Sequence, residues 1–174
     1  MYKKGIIVLV ILGVAYGVYS VSHQPSMEPP LQGDVVPAGI KEGIDVPARE
    51  GSMIDLRSQE LTSVPKYVFD KRGTRVLLLS NNNLSGSLPA EMRQLQNLLV
   101  LDLSNNNFTG VPAEIGQLQK LEILNLSNNP ITGLPLELGN LKNLKVLDLR
   151  GTQYSEYDLE KIKTALPNTI EIKI

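Results

Sequence analysis

The stretch "LDLSNNNFTG", Leu101 to Gly110, decides how the rest of the chain reads. Asparagine is a poor helix former and is depleted in strands. Three in a row mark a turn. The stretch has near copies on either side: "LLLSNNNLSG" at Leu77–Gly86 and "LNLSNNPITG" at Leu124–Gly133. From the leucine before each polar run, Leu79 to Leu103 is 24 residues, Leu103 to Leu126 is 23 and Leu126 to Leu149 is 23. The series extends to Leu56 on one side and Ile172 on the other. The long step has a visible cause: "LSGSLP" carries Ser87 where "FTGVP" and "ITGLP" have nothing, which places one inserted residue in a loop. A turn that returns at fixed spacing is the mark of a repeat architecture.

Other columns keep the same frame. Ile54, Leu77, Leu101, Leu124, Leu147 and Ile170 lie two residues before the anchors. Leu61, Leu84, Phe108, Ile131 and Tyr154 lie five after. Pro65, Pro89, Pro112 and Pro135 follow, then Val68, Met92, Ile115 and Leu138, and then Leu95, Leu118 and Leu141. A last apolar column holds Leu98, Leu121 and Leu144. The consensus is L-x-x-L-x-L-x-x-N-x-L followed by x-G-x-P-x-E-L. It resembles the leucine-rich repeat family over residues 53–174. "LSGSLPAEM" is similar to the plant-type 24-residue subclass, and the 23-residue units to the short subclass of bacterial and intracellular proteins. The resemblance implies an α/β solenoid, a right-handed superhelix with a short parallel sheet on its concave face. Residues 53–174 then hold about five repeats plus a closing helix and strand.

Each repeat opens with a short strand such as Val100–Ser104, along which side chains alternate. Leu101 and Leu103 point inward. Val100, Asp102 and Ser104 point outward. The turn that follows strands backbone donors and acceptors in the interior, each costing about 1–3 kcal/mol if unpaired. An amide side chain can donate and accept together. Asn82, Asn106 and Asn129, between Gln59 and Thr152 in one column, are therefore expected to form a buried ladder between repeats. Asn81, Asn83, Asn105, Asn107 and Asn128 are expected to serve the turn at the surface. Asn83-Leu-Ser, Asn107-Phe-Thr and Asn125-Leu-Ser match the glycosylation sequon, a match that the repeat consensus produces by itself.

The terminal repeats depart from the pattern. Lys71 and Thr74 stand where later repeats have leucine, and "DKRGTR" is expected to form a looser outer turn. Near the other end Leu159, Ile162, Ala165 and Leu166 have helical spacing. They predict a helix over Glu156–Leu166 with Ser155 as N-cap. The strand "IEIKI" follows, and together the two cover the last repeat as a solenoid requires.

The front of the chain is of another kind. Lys3 and Lys4 precede an uncharged apolar stretch from Gly5 to Val21, and no further lysine or arginine occurs before Lys41. This asymmetry places the N-terminus in the cytoplasm and the repeats outside. The stretch is near the lower limit of about 17 residues for a spanning helix. Residues 1–22 read as a signal anchor, a single transmembrane helix; the alternative is a signal peptide cut after Ser20 or Ser22, which would give a secreted protein. Tyr16, Tyr19 and the lack of an A-x-A site favour the anchor. Residues 23–52 are rich in proline and glycine without apolar periodicity and read as a tether.

Composition narrows the function. Net charge is −1 and pI about 5.9, which argues against a nucleic-acid binder. Cysteine is absent; beside the family resemblance, the lack of cysteine-rich caps leans towards a bacterial protein. The one histidine, His23, lies in the tether, and no phosphate-cradling glycine loop follows a strand. No catalytic, cofactor or metal site is expected. The expectation is a monomeric, non-catalytic module that binds a protein or peptide on its concave face. A passive structural envelope component and a secreted effector are the alternatives. Three outward columns line that face: Val76, Val100, Ile123 and Val146; Asp55, Leu78, Asp102, Asn125, Asp148 and Glu171; Arg57, Ser80, Ser104, Ser127, Arg150 and Lys173. Most of these residues suit a strand surface. The departures are sharper candidates: Leu78, expected to be exposed where aspartate is usual, and Arg57 and Arg150 in a serine column. The expected centre is Leu78, Val100, Asp102, Ile123 and Asn125, flanked by Val76, Val146 and Asp148, with Arg57 and Arg150 at the rim.

Overall fold

A computed structural model describes residues 53–174; the apolar segment 1–22 and the tether 23–52 lie outside the described residues. Each repeat contributes one three-residue strand to a six-stranded parallel sheet. The strands are β1 (Met53–Asp55), β2 (Val76–Leu78), β4 (Val100–Asp102), β6 (Ile123–Asn125), β7 (Val146–Asp148) and β8 (Glu171–Lys173), in that spatial order. Their register follows the leucine columns: Ile54 pairs with Leu77, Leu77 with Leu101, Leu101 with Leu124 and Leu124 with Leu147. Equivalent leucines thus stack in rows, and the leucines of each repeat fill one continuous core with Val68, Met92, Ile115 and Leu138 from the return limbs.

The return limbs explain the proline column. Pro89, Pro112 and Pro135 are extended, and each leads into a 3₁₀ turn: Ala90–Gln94, Ala113–Gln117 and Leu136–Asn140. Proline gives up only an N–H that the first turn would leave unpaired. In the first repeat the limb is instead a single α-helical turn, α1 (Tyr67–Asp70). Thr74, in a leucine column, is fully buried there. Its hydroxyl donates to the carbonyl of Lys71 at 2.7 Å, which satisfies the one polar atom it brings inside. The limbs pack closely enough to exclude a side chain at Gly116, where a Cβ would run into the carbonyl oxygen of Glu137.

Three details differ from the sequence reading. Ser87, the inserted residue, ends a strand rather than lying in a loop: β3 (Ser85–Ser87) pairs with β5 (Asn107–Gly110) in a second, two-stranded parallel sheet. The closing helix α2 covers Glu156–Lys163 and stops short of Leu166. Leu166 precedes Pro167, which disfavours helical backbone at that position, and Ala165 is exposed rather than part of the apolar face. Ser155 caps the helix, accepting from the Asp158 N–H at 3.2 Å, and Leu159, Ile162 and Leu166 are buried. Finally, Ile172 pairs with Leu147 and not with Leu149. The longer limb containing α2 makes the last step 25 residues instead of 23. A shift of two keeps every side chain on its face, so only the neighbours change.

Candidate functional site

The turn asparagines come first, because they hold the strands in place. Asn82, Asn106 and Asn129 are buried. The Asn106 amide donates to the Leu79 carbonyl of the preceding repeat at 2.9 Å and to Leu103 of its own at 3.0 Å; its oxygen accepts from the Leu84 N–H at 3.1 Å. Asn129 repeats this on Leu103, Leu126 and Phe108, and Asn82 on Leu56, Leu79 and Leu61. Each amide therefore ties two turns together. Asn81, Asn105 and Asn128 adopt left-handed backbone, φ 54–58°, a conformation asparagine tolerates better than most residues. Turn shape and turn bonding thus fall to adjacent asparagines.

On the concave face the second and third columns form a local device. The Asp102 side chain accepts from the Ser104 N–H at 3.1 Å and its hydroxyl at 2.7 Å. Asn125 does the same for Ser127, at 3.1 and 2.8 Å. At both ends of the row arginine replaces serine. Arg57 grips Asp55 with Nε at 2.8 Å and Nη2 at 2.6 Å; Arg150 grips Asp148 with Nε at 3.0 Å and Nη2 at 2.6 Å. The two arginines, expected as rim cations open to a partner, are thus already paired two residues back. The side-chain hydrogen bond from Arg57 holds the Asp55 carboxyl below the usual carboxylate range, against the effect of burial. Burial pushes Asp148 up, yet the hydrogen bonds and charge of Arg150, with Lys173, outweigh it and the carboxyl is also held low. Lys173 reaches Asp148 because of the two-residue shift of β8: Lys173 lies opposite Asp148, and Glu171 opposite Val146. Glu171 therefore stands in the valine column and Lys173 in the aspartate column, one column over from where the repeat frame puts them.

The apolar residues need a larger correction. Leu78, expected to be exposed, is 0% exposed, as is Val100, and Val76 is buried with them. They pack into a cluster of their own, separate from the interior leucines, with half-buried Met53, Leu99 and Ile123 around it. Met53 and Leu99 were not among the sequence candidates; Met53 could have been found, since it stands one repeat before Val76 in the valine column. Asp102, Ile123, Asn125 and Val146 are half-buried, Asp148 is buried beneath Arg150, and Arg150 is exposed. The face thus has a buried apolar part over β1, β2 and β4 and an accessible mixed part from Asp102 to Arg150. Leu78 also breaks the polar device, since it offers Ser80 no oxygen. Among the described residues no group of three metal-ligating side chains converges.

A family model described as a leucine-rich repeat region matches residues 66–156, just over half of the 174-residue chain. Among solved structures, a leucine-rich repeat protein of Leptospira interrogans is 42% identical with a TM-score of 0.62, over 66% of this chain and 29% of that one. The plant peptide hormone receptor RGFR1, solved in complex with RGF2, is 32% identical with a TM-score of 0.57, over 70% of this chain and 21% of that one. The ectodomain of the receptor kinase SOBIR1 from Arabidopsis thaliana is 28% identical with a TM-score of 0.57, over 69% and 65%. The chain spans less than a third of the length of the first two. With the period, the asparagine ladder and the one-strand-per-repeat sheet, these matches make the chain a member of the leucine-rich repeat family.

Proposed function

We propose that this chain is a non-catalytic module that binds a protein or peptide through the concave sheet and is displayed outside the cytoplasmic membrane. The observation that carries the binding part is the accessible stretch from Asp102 to Arg150. There half-buried Ile123 and Val146 stand beside the polar Asp102 and Asn125, with the Arg150–Asp148 pair at one side. Hot spots favour such an arrangement of apolar centre and polar rim. RGFR1, a similar structure, was solved holding RGF2. Display outside rests on Lys3 and Lys4 before the apolar stretch, with residues 1–22 as a single-pass anchor, or as a signal peptide if cleaved, and 23–52 as the tether.

The buried state of Val76, Leu78 and Val100 moves the proposed contact towards β6 and β7. A glutamate at Val100 would strike the fold, so the test uses Ile123→Glu with Val146→Glu. Proximity labelling in the native cell identifies the partner. The double variant should then abolish its binding with the circular dichroism unchanged, while Gln94→Glu with Gln117→Glu on the outer side should leave binding intact. If the outer pair is the damaging one, the concave assignment fails. If neither pair matters, the module is a passive envelope component. A reporter fused after Ile174 should behave as extracytoplasmic; cytoplasmic activity would overturn the display.

A further inference from the structure

β8 (Glu171–Lys173) is an end strand of the six-stranded sheet, and its one strand neighbour among the described residues is β7. Glu171 and Lys173 turn their backbone towards that neighbour. The Glu171 N–H donates to the Lys145 carbonyl at 2.8 Å, and the Lys173 carbonyl accepts from the Leu149 N–H at 2.8 Å. Successive residues of a strand point their backbone groups to opposite edges, so the N–H and carbonyl of Ile172 face away from β7. Such an edge is a template for another strand. The apolar side is also incomplete. The row that holds buried Leu124 and Leu147 ends in half-buried Ile172, and Ile174, on the same face, is 71% exposed. A terminal repeat calls for a polar outer layer, and this edge of the sheet presents isoleucine instead.

We propose that β8 pairs antiparallel with β8 of a second copy of this chain, about a two-fold axis at Ile172. The stretch Ile170–Ile174, "IEIKI", carries the chemistry. Its apolar positions read the same from both ends, while its two charges exchange sign. With Ile172 opposite its own counterpart, the two residues exchange both N–H···O bonds. Ile170 then lies opposite Ile174, and Glu171 opposite Lys173, on either side of the axis. The isoleucines meet on the inner face and the charges on the concave face. A slip of two residues in either direction keeps the faces. It sets Glu171 against Glu171, or Lys173 against Lys173, and like charges directly opposite are destabilising. The charges thus select the one register that also pairs the isoleucines. Within one chain Lys173 Nζ lies 3.6 Å from the Glu171 carboxylate, a loose pair that the cross-strand partner can replace.

A three-residue edge is a small contact, so the dimer belongs to the weak, transient class. It stands in place of the monomer expected from the sequence. The two sheets run on as one, β6-β7-β8 followed by β8-β7-β6 of the second copy. The two β7 strands then lie three spacings apart, roughly 15 Å. On the binding reading given above, the accessible stretches from Asp102 to Arg150 of both copies flank the axis, and one partner can bridge them.

Sedimentation equilibrium of the full chain, in excess detergent micelles, should show monomers converting to dimers as concentration rises, and nothing larger. Glu171→Lys and Lys173→Glu each set like charges across the axis. Each should weaken dimerisation roughly tenfold or more, with circular dichroism unchanged. Mixed together, the two variants should dimerise again, because each meets its opposite. The double variant, Glu171→Lys with Lys173→Glu, should dimerise as the parent does. Monomers at every concentration would overturn the pairing, as would dimers indifferent to both single variants or single variants that mixing does not rescue. Oligomers that keep growing with concentration would mean head-to-tail stacking of β8 on β1 and overturn it too. None of these substitutions touches Ile123 or Val146, so the binding reading stands or falls on its own glutamate variants.

Discussion

Asn106 and Asp102 lie four residues apart in one repeat and do opposite jobs with the same kind of atom. The Asn106 amide reaches Leu79 in the repeat before, and its oxygen takes the Leu84 N–H. The Asp102 carboxylate takes its hydrogen bonds from Ser104, two residues on. One bond set links turns more than twenty residues apart and is shut away from water. The other closes within two residues on a half-open surface. The first is therefore architecture, repeated because every repeat needs it. The second is local, and its row can be rewritten, as Arg57, Leu78 and Arg150 show, without loss of the sheet.

The largest effect should come from breaking the buried side of this contrast. Asn106→Ala leaves the Leu79 carbonyl and the Leu84 N–H without their side-chain partner, at about 3 kcal/mol in all. Denaturant unfolding measures it, and a loss below about 1 kcal/mol would mean that water replaces the amide and the ladder is not structural.

Asp148 sharpens the contrast through pH. Its carboxyl is held below the ordinary value in the folded chain, so the folded state favours the ionised form. That contribution is complete above about pH 4 and fades as pH falls through the lower folded value. Asp148→Asn should therefore give a shallower loss of stability on acidification than the parent. Parallel curves would show that the Arg150 pair does not bind more tightly than its solvated parts. The effect should stay below that of Asn106→Ala, because Arg150 lies in water.

Asn125→Ala removes the acceptor from the Ser127 N–H and hydroxyl, but water can reach the site, and the loss should be no more than about 1 kcal/mol. A loss equal to that of Asn106→Ala would erase the distinction between local and inter-repeat bonding. The smallest effect is expected at Asn107→Ala, adjacent to the ladder but exposed: within about 0.5 kcal/mol by the same unfolding measurement.

The reach of the sequence can be judged at particular residues. The ladder was legible because its cause is local and recurs: each turn strands the same carbonyls, and the same amide answers them every 23 or 24 residues. The left-handed positions Asn81, Asn105 and Asn128 were legible as turn residues for the same reason. The pairing of Arg57 with Asp55 and of Arg150 with Asp148 was open to inference from the two-residue spacing, but spacing alone does not say whether a long side chain folds back or reaches into solvent.

What the sequence by itself determined is the frame: the period, the leucine rows, the parallel sheet, the buried asparagines and the capping role of Ser155. The period, the leucine rows and the buried asparagines follow from alternation and recurrence, the parallel sheet from the family resemblance those rows carry, and the cap from the helical spacing that follows Ser155. What only the tertiary structure decided are the features set by how much space separates two elements. The 25-residue step to β8 depends on how α2 packs against the last limb, and parity cannot tell 23 from 25. The burial of Leu78, Val76 and Val100 is of the same sort. Alternation says which face a side chain takes, whereas its exposure depends on which neighbours pack around it, here Met53, Leu99 and Ile123.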